Sequence, residues 1–288
     1  MKSGSPLGGL IFVLAIVSGS ACQNSDAASC VWKVTSSSGG TLFLGGSVHA
    51  LRSIDYPLPT PYNRALDASS RLVFETDLAS NAAASKGLVK AGHYPKGDNL
   101  KNHVDPRTYS YVRRFFALQN VPEQKFNTYR PWLIDMILES PPTENSQLGV
   151  EQFLKQRAQT NHKSITGLES VQEHMDPFVG LSDREGEALL LVHFINMGRT
   201  NPGIGKILDS WRHGDADALT RSMRDEYRDF PAFNERIITA RNRRWIPKIE
   251  GFIQSGQTYF VVAGAGHMGG SEGVVALLRA RGYTIEQW

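Results

Sequence analysis

Short apolar runs bounded by Gly, Ser or polar residues recur at positions 41–45, 72–75, 165–168, 258–263 and 283–286, and each predicts a strand. Longer stretches with helical spacing fill the intervals. Asp105-Pro106 makes a cap and first-turn pair for a helix through about Leu118, and Pro131 opens another through Leu138. Residues 149–160 and 182–197 read as further helices, residues 234–253 as one kinked at Pro247, and Ser271 as the cap of a last helix carrying Val274, Val275, Leu277 and Leu278. The Leu189 to Leu191 run and Phe194 read as core. Strands separated by helices, without hairpin signals between them, argue for an α/β fold with a central sheet flanked by helices. The polar, Pro-containing stretch 139–146 is the best boundary between structural layers.

Composition narrows the class. With 41% hydrophobic and 20% charged residues over 288 positions, the chain buries a sizeable core and is not disordered. Its longest early apolar run, Leu10 to Val17, is far short of the roughly 20 residues a membrane-spanning helix needs, which excludes a polytopic membrane protein. Net charge is +3, and the basic residues are scattered apart from Arg241, Arg243, Arg244 and Lys248, so nucleic acid is not an expected partner.

Lys2, an apolar stretch from Gly8 to Val17 and small residues at Ser18, Gly19, Ser20 and Ala21 have the order of an export signal, residues 1–21. Residues 22–30 read as a tether and 31–288 as one domain. Ser20-Ala21-Cys22 resembles the end of a bacterial lipoprotein box, so Cys22 either carries lipid, the chain's one expected link to a membrane, or pairs with Cys30 in a short disulfide loop. The expected address is a bacterial envelope, periplasmic or lipid-anchored.

The chemistry sits where apolar runs end. Four of the five predicted strands stop at a residue able to bind metal or move a proton: His49, Glu75, Glu169 and His267. In open α/β sheets the crevice beyond the carboxyl ends of the strands is where ligands bind, so these side chains can converge there. Two imidazoles and two carboxylates suit Zn, Mn, Fe or Co, with a metal-bound water as nucleophile and a free carboxylate as proton acceptor. Taken one at a time, each also reads as a strand-end polar group with a solvent or backbone partner. Glycines flank both histidines, at Gly45-Gly46 and at Gly264, Gly266, Gly269 and Gly270, allowing close backbone approach. Arg241 and Asn242 interrupt the apolar stripe Ile237, Ile238, Trp245, Ile246, Ile249 and Ile253. Either Arg241 meets a carboxylate of the site or of a substrate while Asn242 orients a ligand, or Arg241 snorkels at the stripe's edge. Gly264-Ala265-Gly266-His267-Met268-Gly269 also matches a dinucleotide fingerprint, but its nearness to residue 288 leaves no room for a further βαβ unit.

Gly46-Ser47-Val48-His49 and Gly264-Ala265-Gly266-His267 resemble the paired G-x-x-H motifs of the TraB/PrgY/GumN family, which includes the Tiki metalloprotease-like proteins. Tyr56-Pro57-Leu58-Pro59, Glu75, Arg130-Pro131-Trp132, Gly149-Val150-Glu151, Gly167-Leu168-Glu169-Ser170, Arg241-Asn242 with Trp245, and the 277–284 segment fall in the family's order. The chain departs at Glu151, where Asp is usual, and at His174, where Gln is common; His174 is either an extra ligand or a helix-surface residue. The resemblance implies a fold related to erythromycin-esterase-like and ChaN-like proteins, with helical cover over the strand ends. It also implies a metal-dependent, peptidase-like hydrolase acting on a peptide or small molecule, with Mn, Co or Zn held by His49, His267 and Glu75. Glu75 or Glu169 would move protons, and Arg241 and Asn242 would stabilise or orient substrate. Two other readings stay open: a peptide, haem or small-ligand binder without turnover, and an accessory of envelope or polysaccharide export.

Overall fold

The computed structural model describes residues 28–76, 82–139, 147–198 and 203–288. Its strands are β1 (Val31–Thr35), β2 (Thr41–Ser47), β3 (Ala50–Leu51), β4 (Arg71–Thr76), β5 (Gln147–Leu148), β6 (Ser164–Glu169), β7 (Tyr259–Gly264) and β8 (Thr284–Gln287). Its helices are α1 (Thr60–Ala68), α2 (Ala82–Ala91), α3 (Pro106–Leu118), α4 (Pro131–Glu139), α5 (Val150–Thr160), α6 (Val171–Val179), α7 (Asp183–Gly198), α8 (Gly203–Arg212), α9 (Ala216–Glu226), α10 (Pro231–Asn234), α11 (Ala240–Gln254) and α12 (Val274–Arg279). A π-helical turn, Glu235–Thr239, joins α10 to α11.

A six-stranded sheet in the order β6-β4-β7-β2-β1-β8 forms the centre. β6, β4, β7 and β2 are mutually parallel, whereas β1 runs antiparallel to β2 and β8 antiparallel to β1. Nearly every position of β2 and β7 is buried, as in strands covered on both faces, and α1, α5, α11 and α12 pack against the sheet. Register then sets the site. Ser47 pairs with Gly264, Thr76 with Glu169 and Val73 with Val261, so the carboxyl ends of all four parallel strands stand level.

Three features depart from the sequence expectation. β1 and β2 form a hairpin through residues 36–40, closed by a Ser36 N–H to Gly40 O bond of 2.9 Å, with Gly39 at φ 87°. The first strand read from the sequence is 41–45, so both β1 and the hairpin were missed. The last helix begins at Val274 with Gly273 at its N-cap and no side-chain cap, so Ser271 lies outside it. A Cβ at Gly273 would lie 2.1 Å from Gly269 O, so glycine chemistry, not a hydroxyl, starts this helix. Finally, the expected 234–253 helix is divided: α10 and the π turn Glu235–Thr239 precede α11, which continues through Pro247 to Gln254.

Ser29 and Cys30, at the end of the expected tether, are buried; the Ser29 N–H donates to Trp288 O at 2.6 Å and the Gly46 N–H to Cys30 O at 2.7 Å. The expected signal segment, Cys22 and residues 140–146 of the expected layer boundary lie outside the described residues. No helix among the described residues is long and apolar enough to cross a membrane. A second apolar cluster, including Leu100, Val112, Phe116, Ile134, Leu190 and Phe194, holds the helices α3, α4 and α7 together. A third, with Trp132, Val171, Met175, Leu189, Ile237 and Ile238, ties them to α6 and the π turn. Leu189, Leu190 and Phe194 are thus core, while Leu191 is exposed.

Candidate active site

Glu75 ends β4 and Glu169 ends β6, and Arg241 at the start of α11 reaches both. Its Nη2 donates to Glu75 Oε2 at 2.5 Å and also to Glu169, while Nε donates to Glu169 Oε1 at 3.0 Å. The Arg241 side chain is only 4% exposed, and a charge so buried is tolerable because two carboxylates meet it. The π turn contributes as well: Arg241 Nη1 donates to Ile237 O at 3.1 Å. Glu169 also accepts from Trp245 Nε1 (3.1 Å) and contacts His174 Nδ1 (2.8 Å). Burial works to push the Glu169 carboxyl up, but the His174 and Arg241 hydrogen bonds prevail and hold it below the ordinary range. For Glu75, burial is again opposed, here by His267, Arg241, His174 and a 2.7 Å bond from the Gly264 N–H, which together hold it well below the ordinary range.

The hydrogen-bond network fixes the tautomer of His267. The Asn242 amide donates from Nδ2 to Glu272 O at 2.8 Å and to His267 O at 3.3 Å, so its Oδ1 faces His267 Nδ1, 2.6 Å away. An amide oxygen only accepts, so the proton resides on Nδ1 and the Nε2 lone pair faces Glu75 Oε1 at 3.8 Å and Arg241 Nη1 at 3.4 Å. Burial lowers the His267 pKa to about 4, so the ring is neutral at neutral pH, and Arg241 is the permanent cation among these groups.

A third carboxyl stands close by. Glu151, in the first turn of α5, accepts from Ser47 Oγ at 2.9 Å. Burial and the Glu75 charge raise its pKa, against the opposing pull of His49, Ser47 and His174. Gly149 makes this approach possible: a Cβ there would lie 2.3 Å from His49 O, and the next residue, Val150, donates its N–H to Val48 O at 3.1 Å. His49 itself is exposed on the loop after β2, on the Glu151 side of the cluster.

The structure therefore brings Glu75, Glu169, Arg241, Asn242 and His267 into one network and sets His49 at its exposed side. Glu75, Glu169 and His174 offer donor atoms within 4.8 Å of one another, with His267 Nε2 beside Glu75. Carboxylate oxygen and neutral imidazole in this spacing fit a divalent transition ion such as Zn, Mn or Co. From sequence, His174 reads as either an extra ligand or a helix-surface residue, and Glu151 only as a departure from Asp. The signal for His174 was the Ser170–Glu173 capping box, which starts α6 immediately after Glu169 and turns the helix's first exposed face back onto it. A cavity of about 330 Å³ lies on α6 and α11, lined by Glu173, Asp176, Arg236 and Arg244 among others.

Several known proteins are similar to this chain at low identity. Metalloprotease TIKI homolog of Amphimedon queenslandica is 24% identical over 322 residues, covering 92% of this chain and 62% of the relative. Metalloprotease TIKI1 of Danio rerio is 24% identical over 304 residues, covering 85% and 60%. Uncharacterized protein YbaP of Escherichia coli (strain K12) is 21% identical over 241 residues, covering 81% and 86%. The chain spans about six-tenths of the length of the TIKI relatives. No solved structure matches it. The TraB/PrgY/gumN family model matches residues 30–287, nearly the whole described chain, and the chain belongs to that family.

Proposed function

We propose that the chain is an exported, metal-dependent hydrolase of peptide bonds, with a fold related to erythromycin-esterase-like and ChaN-like proteins. The observation that carries this reading is the neutral His267, held by Asn242 with its Nε2 lone pair toward Glu75 among further carboxylate and imidazole donors. Glu75 and His267 would hold a Mn, Co or Zn ion, with His174 and Glu169 at hand from one side and His49 from the other. Such an ion supplies Lewis-acid polarisation of a carbonyl and an acidified water. Glu169 is saturated by Arg241, Trp245 and His174, so it serves as an anchor rather than a base. Glu151, which accepts from Ser47 Oγ and whose pKa burial and the Glu75 charge raise, is the carboxyl best suited to exchange protons. The TIKI relatives, named metalloproteases, support the reaction class. Residues 1–21 would direct export, with Cys22 as a lipid attachment point.

A peptide-library assay on the purified chain tests the reading. Cleavage that stops with chelator and returns with Mn or Co is the expected result; chelator-insensitive cleavage contradicts it. Metal retention without any cleavage would instead favour a binding protein.

A further inference from the structure

Among the described residues Arg241 carries the one permanent positive charge in contact with Glu75 and Glu169, and the hydrolysis outlined above assigns it no step. Its guanidinium contacts Glu75 Oε2 (2.5 Å), Glu169 Oε1 (3.0 Å from Nε), His174 Nδ1 (3.0 Å) and His267 Nε2 (3.4 Å). Those are the donors that a divalent ion would take. From behind, Nη1 is held by Ile237 O and the guanidinium carbon lies 4.8 Å from the Trp245 ring centroid. A guanidinium that recognised a substrate carboxyl group would aim its N–H groups at open space. Here Nε, Nη1 and Nη2 are all engaged within the protein.

We infer that Arg241 is a built-in counter-cation: it holds Glu75 and Glu169 in place, and a divalent metal must share those carboxylates with it, so this positioning residue lowers metal affinity. The inference rests on the metal-dependent reading above. The charges give its sign. Glu75 and Glu169 with Arg241 carry a net single negative charge, and a dication added to them makes the group positive; without the guanidinium the same dication gives neutrality. Arg241 thus acts as an internal competitor whose strength sets how much free metal the site requires.

Cobalt titration of chelator-treated wild type, Arg241→Met and Arg241→Lys, followed by visible absorption and calorimetry, tests this without an activity readout. Arg241→Met is expected to bind Co²⁺ on the order of tenfold more tightly than wild type. Arg241→Lys, which keeps the charge but cannot span both carboxylates, is expected to fall between them. If circular dichroism shows Arg241→Met unfolded, the lysine variant alone decides. Equal or weaker binding by a folded variant overturns the inference and leaves the metal reading intact. Absence of Co²⁺ binding in all three proteins overturns the metal reading and this inference with it.

Discussion

At the scale of single residues, the site is governed by which groups are charged and which are held neutral. His267 is buried and its pKa is lowered to about 4, whereas in the unfolded chain it titrates near the ordinary histidine value of 6.5. Stability from keeping it neutral is fully present above pH 6.5 and is lost as pH falls toward 4, by roughly 3 kcal/mol at the end. Urea midpoints of chelator-treated protein should therefore fall between pH 6.5 and 4.5, and His267→Gln should flatten that fall; an unchanged slope contradicts it. Asn242→Ala removes the acceptor that fixes the His267 tautomer, and cobalt affinity should drop by about ten- to a hundredfold. Much of this chemistry was legible beforehand. Glu75, Glu169 and His267 end or follow apolar strands, and a polar residue there has few purposes apart from solvent contact or a site. Glu151 was harder to see. An acidic residue in the first turn of a helix is already accounted for by the helix dipole, so nothing in the sequence marked it as facing Ser47.

At the scale of elements, close backbone approach matters more than helix or strand propensity. Gly149 lets the start of α5 touch the His49 backbone, and Gly149→Ala should cost about 1–3 kcal/mol in chemical denaturation while displacing Glu151 from Ser47. A stability equal to wild type would show that the loop yields without cost. β2 and β7 were legible as apolar runs because both their faces are covered. β1 was not, since its five residues are interrupted by Lys33 and run into a serine-rich turn, which leaves no clear apolar run. The π turn was equally hidden: a helical stripe through residues 234–253 does not reveal one extra residue per turn, yet that turn leaves Ile237 O to Arg241.

At the scale of the molecule, the donors come from β4, β6, α6 and the loop after β7, spread between residues 75 and 267, so no part of the chain forms the site alone. Metal should consequently bind the folded state far better than the unfolded one. At a hundredfold excess over its dissociation constant, it should add about 2.7 kcal/mol of stability, read as a higher melting temperature that chelator reverses. Identical melting with and without metal would separate the fold from the ion. The most direct measurement is anomalous X-ray scattering from crystals of the purified chain grown with cobalt or zinc. The account predicts one strong peak within bonding distance of both Glu75 and His267 Nε2, and a peak bound only elsewhere, or none at saturating metal, would contradict it.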